Sequence, residues 1–222
     1  MTKRRADILQ AAIKLFAHRG YDATPLSEIA REAEVSEGAI FRHFQTKEDL
    51  LYQIILEIRD NFMADLEESF TFSSKETGLE MVMRLLHIYC RFYEKRELEF
   101  DFLHTNNPFR MPHVGNKCRT EMRKIHDKMS ELLRIGITLG IKDGSIRPVP
   151  IGETAFLITS MLGGAVRRRI YENIHLNDIE PDFLEFCHTA LRQQGPDATS
   201  GTARAKRRRR PRPATTRSRR SR

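Results

Sequence analysis

Apolar positions recur with a helical period from the start of the chain. Ile8, Leu9, Ala12, Leu15 and Phe16 fall at i, i+1, i+4, i+7 and i+8, the face of one helix, and the run stops at Gly20. Thr24 followed by Pro25 predicts the start of a second, short helix: a hydroxyl caps free amides, and a proline in the first helical position loses no needed donor. Leu26, Ile29, Ala30 and Ala33 mark its apolar stripe. Ser36 is placed to cap a third helix and Thr46 a fourth, whose apolar positions Leu50, Leu51, Ile54, Ile55, Ile58, Phe62 and Leu66 carry it to about Phe70. The same period returns over 79–94, 117–141, 151–173 and 181–193. Segments 104–116 and 142–150 carry the Asn, Pro and Gly punctuation of loops. Strand alternation is absent, so the chain is expected to be all-α.

Composition sharpens this picture at three points. With 40% hydrophobic and 31% charged residues the chain is globular in character, and 222 residues suffice for a small module joined to a larger one. Its longest apolar stretch, 155–166, is too short and too interrupted to span a membrane, so a soluble, cytoplasmic protein without a membrane partner is expected. Cys90, Cys118 and Cys187 are odd in number and widely spaced, which predicts reduced, buried thiols. The formal charge of +8 is concentrated: eleven of the 38 Lys and Arg residues lie from Arg204 onward, leaving 27 against 30 acidic residues before it. Segment 195–222 turns to Gly, Ser, Thr, Ala and Pro and then to a "KRRRRPRP" run that has no apolar residues to offset ordering entropy, and it is expected to be disordered. It reads either as a second, salt-sensitive DNA element or as a solubilising extension. A smaller basic excess, Lys3, Arg4 and Arg5, sits at the other end.

The stretch "SEGAIFRHF", Ser36 to Phe44, is too short to be stable alone. On a helical wheel Ile40 and Phe44 fall side by side and anchor it to the first two helices, leaving Glu37, Gly38, Ala39, Arg42 and His43 for another surface. A short helix held at its back and preceded by another across a tight turn has the form of a helix-turn-helix element, whose second helix the DNA major groove admits. Gly38 and Ala39 near its start let the helix end approach bases and phosphates. Arg42 suits guanine or a phosphate, His43 and Lys47 suit phosphates, and Lys3, Arg4 and Arg5 reach toward the adjacent backbone or minor groove.

Thr24, Ile29, Ala30, Ala33, Val35, Ser36, Gly38, Ile40, Phe41, His43, Phe44, Lys47 and Leu50, at these spacings, resemble the N-terminal DNA-binding domain of the tetracycline-repressor (TetR) family of bacterial transcriptional regulators. The match covers about residues 5–55. The resemblance places Ser27, Glu37, Gly38, Ala39, Phe41, Arg42, His43 and Lys47 where the family touches double-stranded DNA; Thr24 and Ser36 complete the candidate interface. Two positions depart from the family: Glu34 replaces a usual glycine in the turn, and Phe41 a usual tyrosine. If Glu34 must adopt a left-handed conformation, the cost is about 1 kcal/mol.

The expected organisation is a helix-turn-helix DNA-binding domain over 1–48, joined by a long helix to a larger helical ligand-binding and dimerisation domain over 49–194. The resemblance implies a homodimer formed through the last two helices, bounded by Ile151 and Asn173 and by Pro181 and Gln193, and Gly163, Gly164 and Ala165 suit close packing against a partner helix. It also implies a cavity for a small, largely apolar effector, and Met81, Phe92, Phe100, Phe102, Phe109, Met111 and Met129 are its candidate lining. Loss of DNA affinity on effector binding would follow from a tilt of the long fourth helix. A second reading stays open: an architectural or protein-interaction factor that binds DNA without an effector. No metal site is expected, because His87, His104, His113, Cys118 and His126 lack a tight ligand spacing. GxSxG, HExxH, phosphate-loop and dinucleotide motifs are absent from suitable settings, so neither an enzyme nor a cofactor is expected.

Overall fold

The computed structural model describes residues 3–70, 75–172 and 176–193, and these form an all-α protein. The tail expected to be disordered lies outside the described residues, as does Asn173.

The first three helices are α1 (Lys3–Arg19), α2 (Leu26–Glu32) and α3 (Glu37–His43). Ile8, Leu9, Ala12 and Phe16 of α1, Ile29 and Ala30 of α2, and Ile40 and Phe44 are buried together, so the short helices are held by packing rather than by their own propensity. Ser36 caps α3 as expected, its hydroxyl accepting from the Ala39 amide at 3.2 Å. Thr24 does not cap α2. It is fully buried, and its hydroxyl donates to the Gly20 carbonyl at 2.8 Å, fastening the end of α1 to the turn. Glu34 holds φ +55°, so the departure from glycine puts a left-handed residue in the turn.

Next come α4 (Lys47–Ser69), α5 (Gly78–Glu94), α6 (Glu97–Asn106), a 3-10 turn (Pro108–Arg110), α7 (Gly115–Asp143), α8 (Ile151–Glu172) and α9 (Leu176–Leu191). The Thr46 hydroxyl accepts from the Asp49 amide at 3.0 Å, the cap read from sequence. Thr77 and Glu80 form a reciprocal capping box at the start of α5. Two elements differ from expectation. Most of α6 falls in a stretch for which the sequence predicts no element, its end and the 3-10 turn occupy part of the 104–116 segment read as a loop, and α9 begins five residues before Pro181, which stands inside the helix. The earlier start brings buried Glu180 to 2.6 Å from His87 of α5.

One continuous apolar core runs from α1 to α9. Where α5 meets α7 the backbones touch: a Cβ at Gly78 would lie 1.9 Å from the Gly140 nitrogen, so only glycine fits there. Cys90, Cys118 and Cys187 are buried free thiols, and burial pushes them up to about 12, about 11 and about 11 respectively, which keeps them protonated and unreactive at neutral pH. Among the described residues no helix is long and apolar enough to cross a membrane.

Candidate nucleic-acid interface

The outward face of α3 carries Glu37, Gly38, Phe41, Arg42 and His43, all exposed, with Phe41 at 52%. Ala39 is not among them. It is buried beside Ile40, so its small side chain serves the packing of α3 onto its neighbours. Ser27 and the cap Ser36 are exposed alongside, and Lys3 and Arg4 project from the first turn of α1. Arg5 turns toward the protein instead: its guanidinium donates to Gln53 of α4 at 2.7 Å and lies 5.3 Å from the Phe44 ring centroid. Lys47 is likewise engaged, donating to the Tyr21 carbonyl at 2.5 Å and sitting 4.2 Å from the Tyr21 ring centroid. Burial pushes its pKa below the usual lysine value, against the opposing charges of Asp22 and Glu48. Thr24, buried and bonded to Gly20, has no exposed surface to offer a phosphate.

A cavity of about 120 Å³ lies in the larger part of the protein. Of the seven candidate lining residues, Phe92, Phe100 and Phe109 face it, joined by Tyr89, Met122 and His126, which sequence reasoning did not select. Spacing held a signal for the last two, since Met122 and His126 lie four residues apart on α7. The other candidates sit elsewhere. Met81 and Met129 are buried in the core, with Met81 near Gly136 where α5 crosses α7. Met111 lines a surface groove with Tyr21 and Asn107, and Phe102 stacks on Phe16 of α1 at 6.0 Å between centroids. Among the described residues no cluster of His, Cys, Asp and Glu could hold a metal ion.

The interface and the cavity are joined through α6. Phe100 and Leu103 of this helix line the cavity, while Phe102 and Asn106 grip α1. The Asn106 amide donates to the Phe16 carbonyl at 2.9 Å and to the Phe102 carbonyl at 2.8 Å, and its oxygen accepts from the Tyr21 amide. One side chain thus ties the end of α6 to the turn between α1 and α2.

Comparison with known proteins bears on both parts. Residues 8–54 match the family described as bacterial regulatory proteins, tetR family. The uncharacterized HTH-type transcriptional regulator YvkB of Bacillus subtilis (strain 168) is 30% identical over 172 residues, covering 77% of this chain and 83% of that protein. The chain belongs to the TetR family of transcriptional regulators. Another similar protein is the HTH-type transcriptional repressor DhaR of Mycobacterium sp. (strain GP1), 26% identical over 174 residues, 78% of this chain and 85% of that protein. The fold of this TetR-family chain is shared by the regulator PfmR from Thermus thermophilus, at a TM-score of 0.69 and 23% identity, over 87% of this chain and all of that one. As a TetR-family member it is a DNA-binding transcriptional regulator and not an enzyme.

Proposed function

We propose that this regulator is a repressor that binds a palindromic operator as a homodimer and releases it when a small, largely apolar effector enters the cavity. The supporting observation is that α6 lines the cavity with Phe100 and Leu103 and holds α1 with Phe102 and Asn106. An occupant that displaces α6 therefore moves the three-helix head, and the long α4, which leads from α3 into the larger domain, carries the same motion along its length. DNA contact is assigned to Ser27, Ser36, Glu37, Gly38, Phe41, Arg42 and His43, with Lys3 and Arg4 on the adjacent backbone. Thr24, Ala39, Arg5 and Lys47 act on that surface by packing and bonding it in place. The DNA-binding part is taken as 1–48 and the effector and dimerisation part as 49–194.

Because the effector prefers the conformation that fits the groove poorly, DNA and effector weaken each other by the same factor. Enrichment of binding sites from a random duplex pool tests the first half: an inverted repeat with half-sites about one helical turn apart is expected. For the second half, operator affinity is measured with and without small molecules that bind the protein. A fall of tenfold or more is expected, and unchanged affinity at saturation by every bound molecule would refute the repressor mechanism.

A further inference from the structure

The cavity also has a size and a polarity, and these narrow what enters it. Apolar cavities of roughly 150 Å³ accommodate benzene. At about 120 Å³ this one matches a single ring or an equally compact aliphatic group, and three phenylalanine rings contribute to its wall.

Polar groups are few. Among the described residues that line it, only Tyr89 and His126 carry polar side chains, and none is a lysine, an arginine or a carboxylate. His126 is exposed on its outer side, while the cavity wall is continued by Gly163 and Val166 of α8. No hydrogen bond engages its ring among the described residues, so both nitrogens are available to an occupant. Burial pushes Tyr89 up to about 12, so it stays a neutral phenol, and burial pushes His126 below the usual histidine value despite nearby Asp127. Neither group offers a permanent positive charge. A carboxylate entering here would lose its hydration without an ionic partner.

Resting on the effector reading above, we propose that the cavity selects a neutral, single-ring-sized molecule carrying one hydrogen-bonding oxygen, which His126 engages at the rim. The volume is too small to enclose a long acyl chain, and the described wall offers a small organic anion no opposite charge.

Calorimetry on the full-length protein with four compounds tests this: toluene, p-cresol, 4-methylbenzoate and dodecanoate. p-Cresol is expected to bind most tightly, about three- to tenfold better than toluene, the range of one neutral hydrogen bond. Both 4-methylbenzoate and dodecanoate are expected to bind at least tenfold more weakly than p-cresol. His126→Leu, at a partly exposed position, is expected to remove the advantage of p-cresol over toluene. Tighter binding of 4-methylbenzoate or dodecanoate, failure of both neutral rings to bind, or a p-cresol advantage that survives in His126→Leu would each overturn the inference. The regulator reading fails separately. If the neutral rings bind in the expected order and the enriched operator is still held with unchanged affinity, the cavity's selectivity stands and the repressor mechanism falls.

Discussion

Gly38 is the residue at which the demands of folding and of DNA recognition separate most cleanly. A Cβ built there would meet nothing nearer than the Ser36 hydroxyl oxygen at 4.0 Å, so the protein itself has room for a side chain. Gly38 sits in the first turn of an exposed helix, where alanine is favoured over glycine by up to about 1 kcal/mol. Folding alone would therefore accept alanine, and under the proposed DNA contact the glycine leaves room for a groove wall or phosphate. Gly38→Ala is expected to raise or preserve the denaturation midpoint while lowering operator affinity at least tenfold, about 1.4 kcal/mol. Thermal melts and DNA titrations of the same preparation check both halves, and an unaltered operator affinity would remove Gly38 from the interface. Nearby residues show how far sequence reasoning reaches at this scale. Ser36, Thr46, Ile40, Phe44 and the left-handed strain at Glu34 were legible because each depends on neighbours a few positions away. Thr24, Ala39, Arg5 and Lys47 were not, because their roles are set by Gly20, the head core, Gln53 and Tyr21, which only the tertiary fold brings within reach.

Helices with one buried face were readable at the level of elements, and α6 shows why another kind is not. Leu98, Phe100 and Phe102 alternate with charged residues, and Leu103 breaks the alternation, so the segment shows no single helical stripe. The cause is that α6 is packed on two sides, against α1 and around the cavity, which spreads its apolar positions over much of its circumference. The candidate cavity was legible only in part for the same reason: Phe92, Phe100 and Phe109 belong to different elements, and nothing in their spacing separates them from Met81 or Met129 in the core. Between α4 and α7 the apolar packing is joined by an ionic tie. Glu121 accepts from Lys124 at 2.8 Å and pairs with Arg59 of α4, and these bonds, the Lys124 one foremost, hold its carboxyl below the usual 4.5 against the cost of burial. A carboxyl whose pKa is lowered by folding contributes stability above its unfolded-state value and loses it as pH falls through the lower folded-state value. Glu121→Gln is therefore expected to cost about 2 kcal/mol near neutral pH, the scale of a hydrogen bond to a charged group. The gap between variant and parent should close as pH drops below 4.5, and urea denaturation across that range measures it.

For the whole molecule, the surface of the last two helices has the largest consequence. Phe156 and Leu157 of α8 are 68% and 59% exposed, Phe186 of α9 is 58% exposed, and Met161 lies one turn along from Leu157. Gly164 adds open space beside them, since a Cβ there would meet nothing within 4 Å. Fully covering a large apolar side chain is worth about 1.5–3 kcal/mol, so four such residues on each of two subunits supply enough to hold a dimer against its entropic cost. In a twofold arrangement each residue faces the same surface of the other copy, so a charge introduced there is repeated across the interface and repels itself. The double substitution Phe156→Glu with Leu157→Glu is expected to leave the fold intact, because neither side chain packs in the core, and to give a monomer at micromolar concentration by light scattering. That monomer retains α3 and should bind one half-site weakly, while affinity for the full palindrome falls by at least a hundredfold through loss of the second, linked contact. A double variant that remained dimeric, or a monomer that held the palindrome as tightly as the parent, would move the dimer contact to another surface or make dimerisation irrelevant to DNA binding.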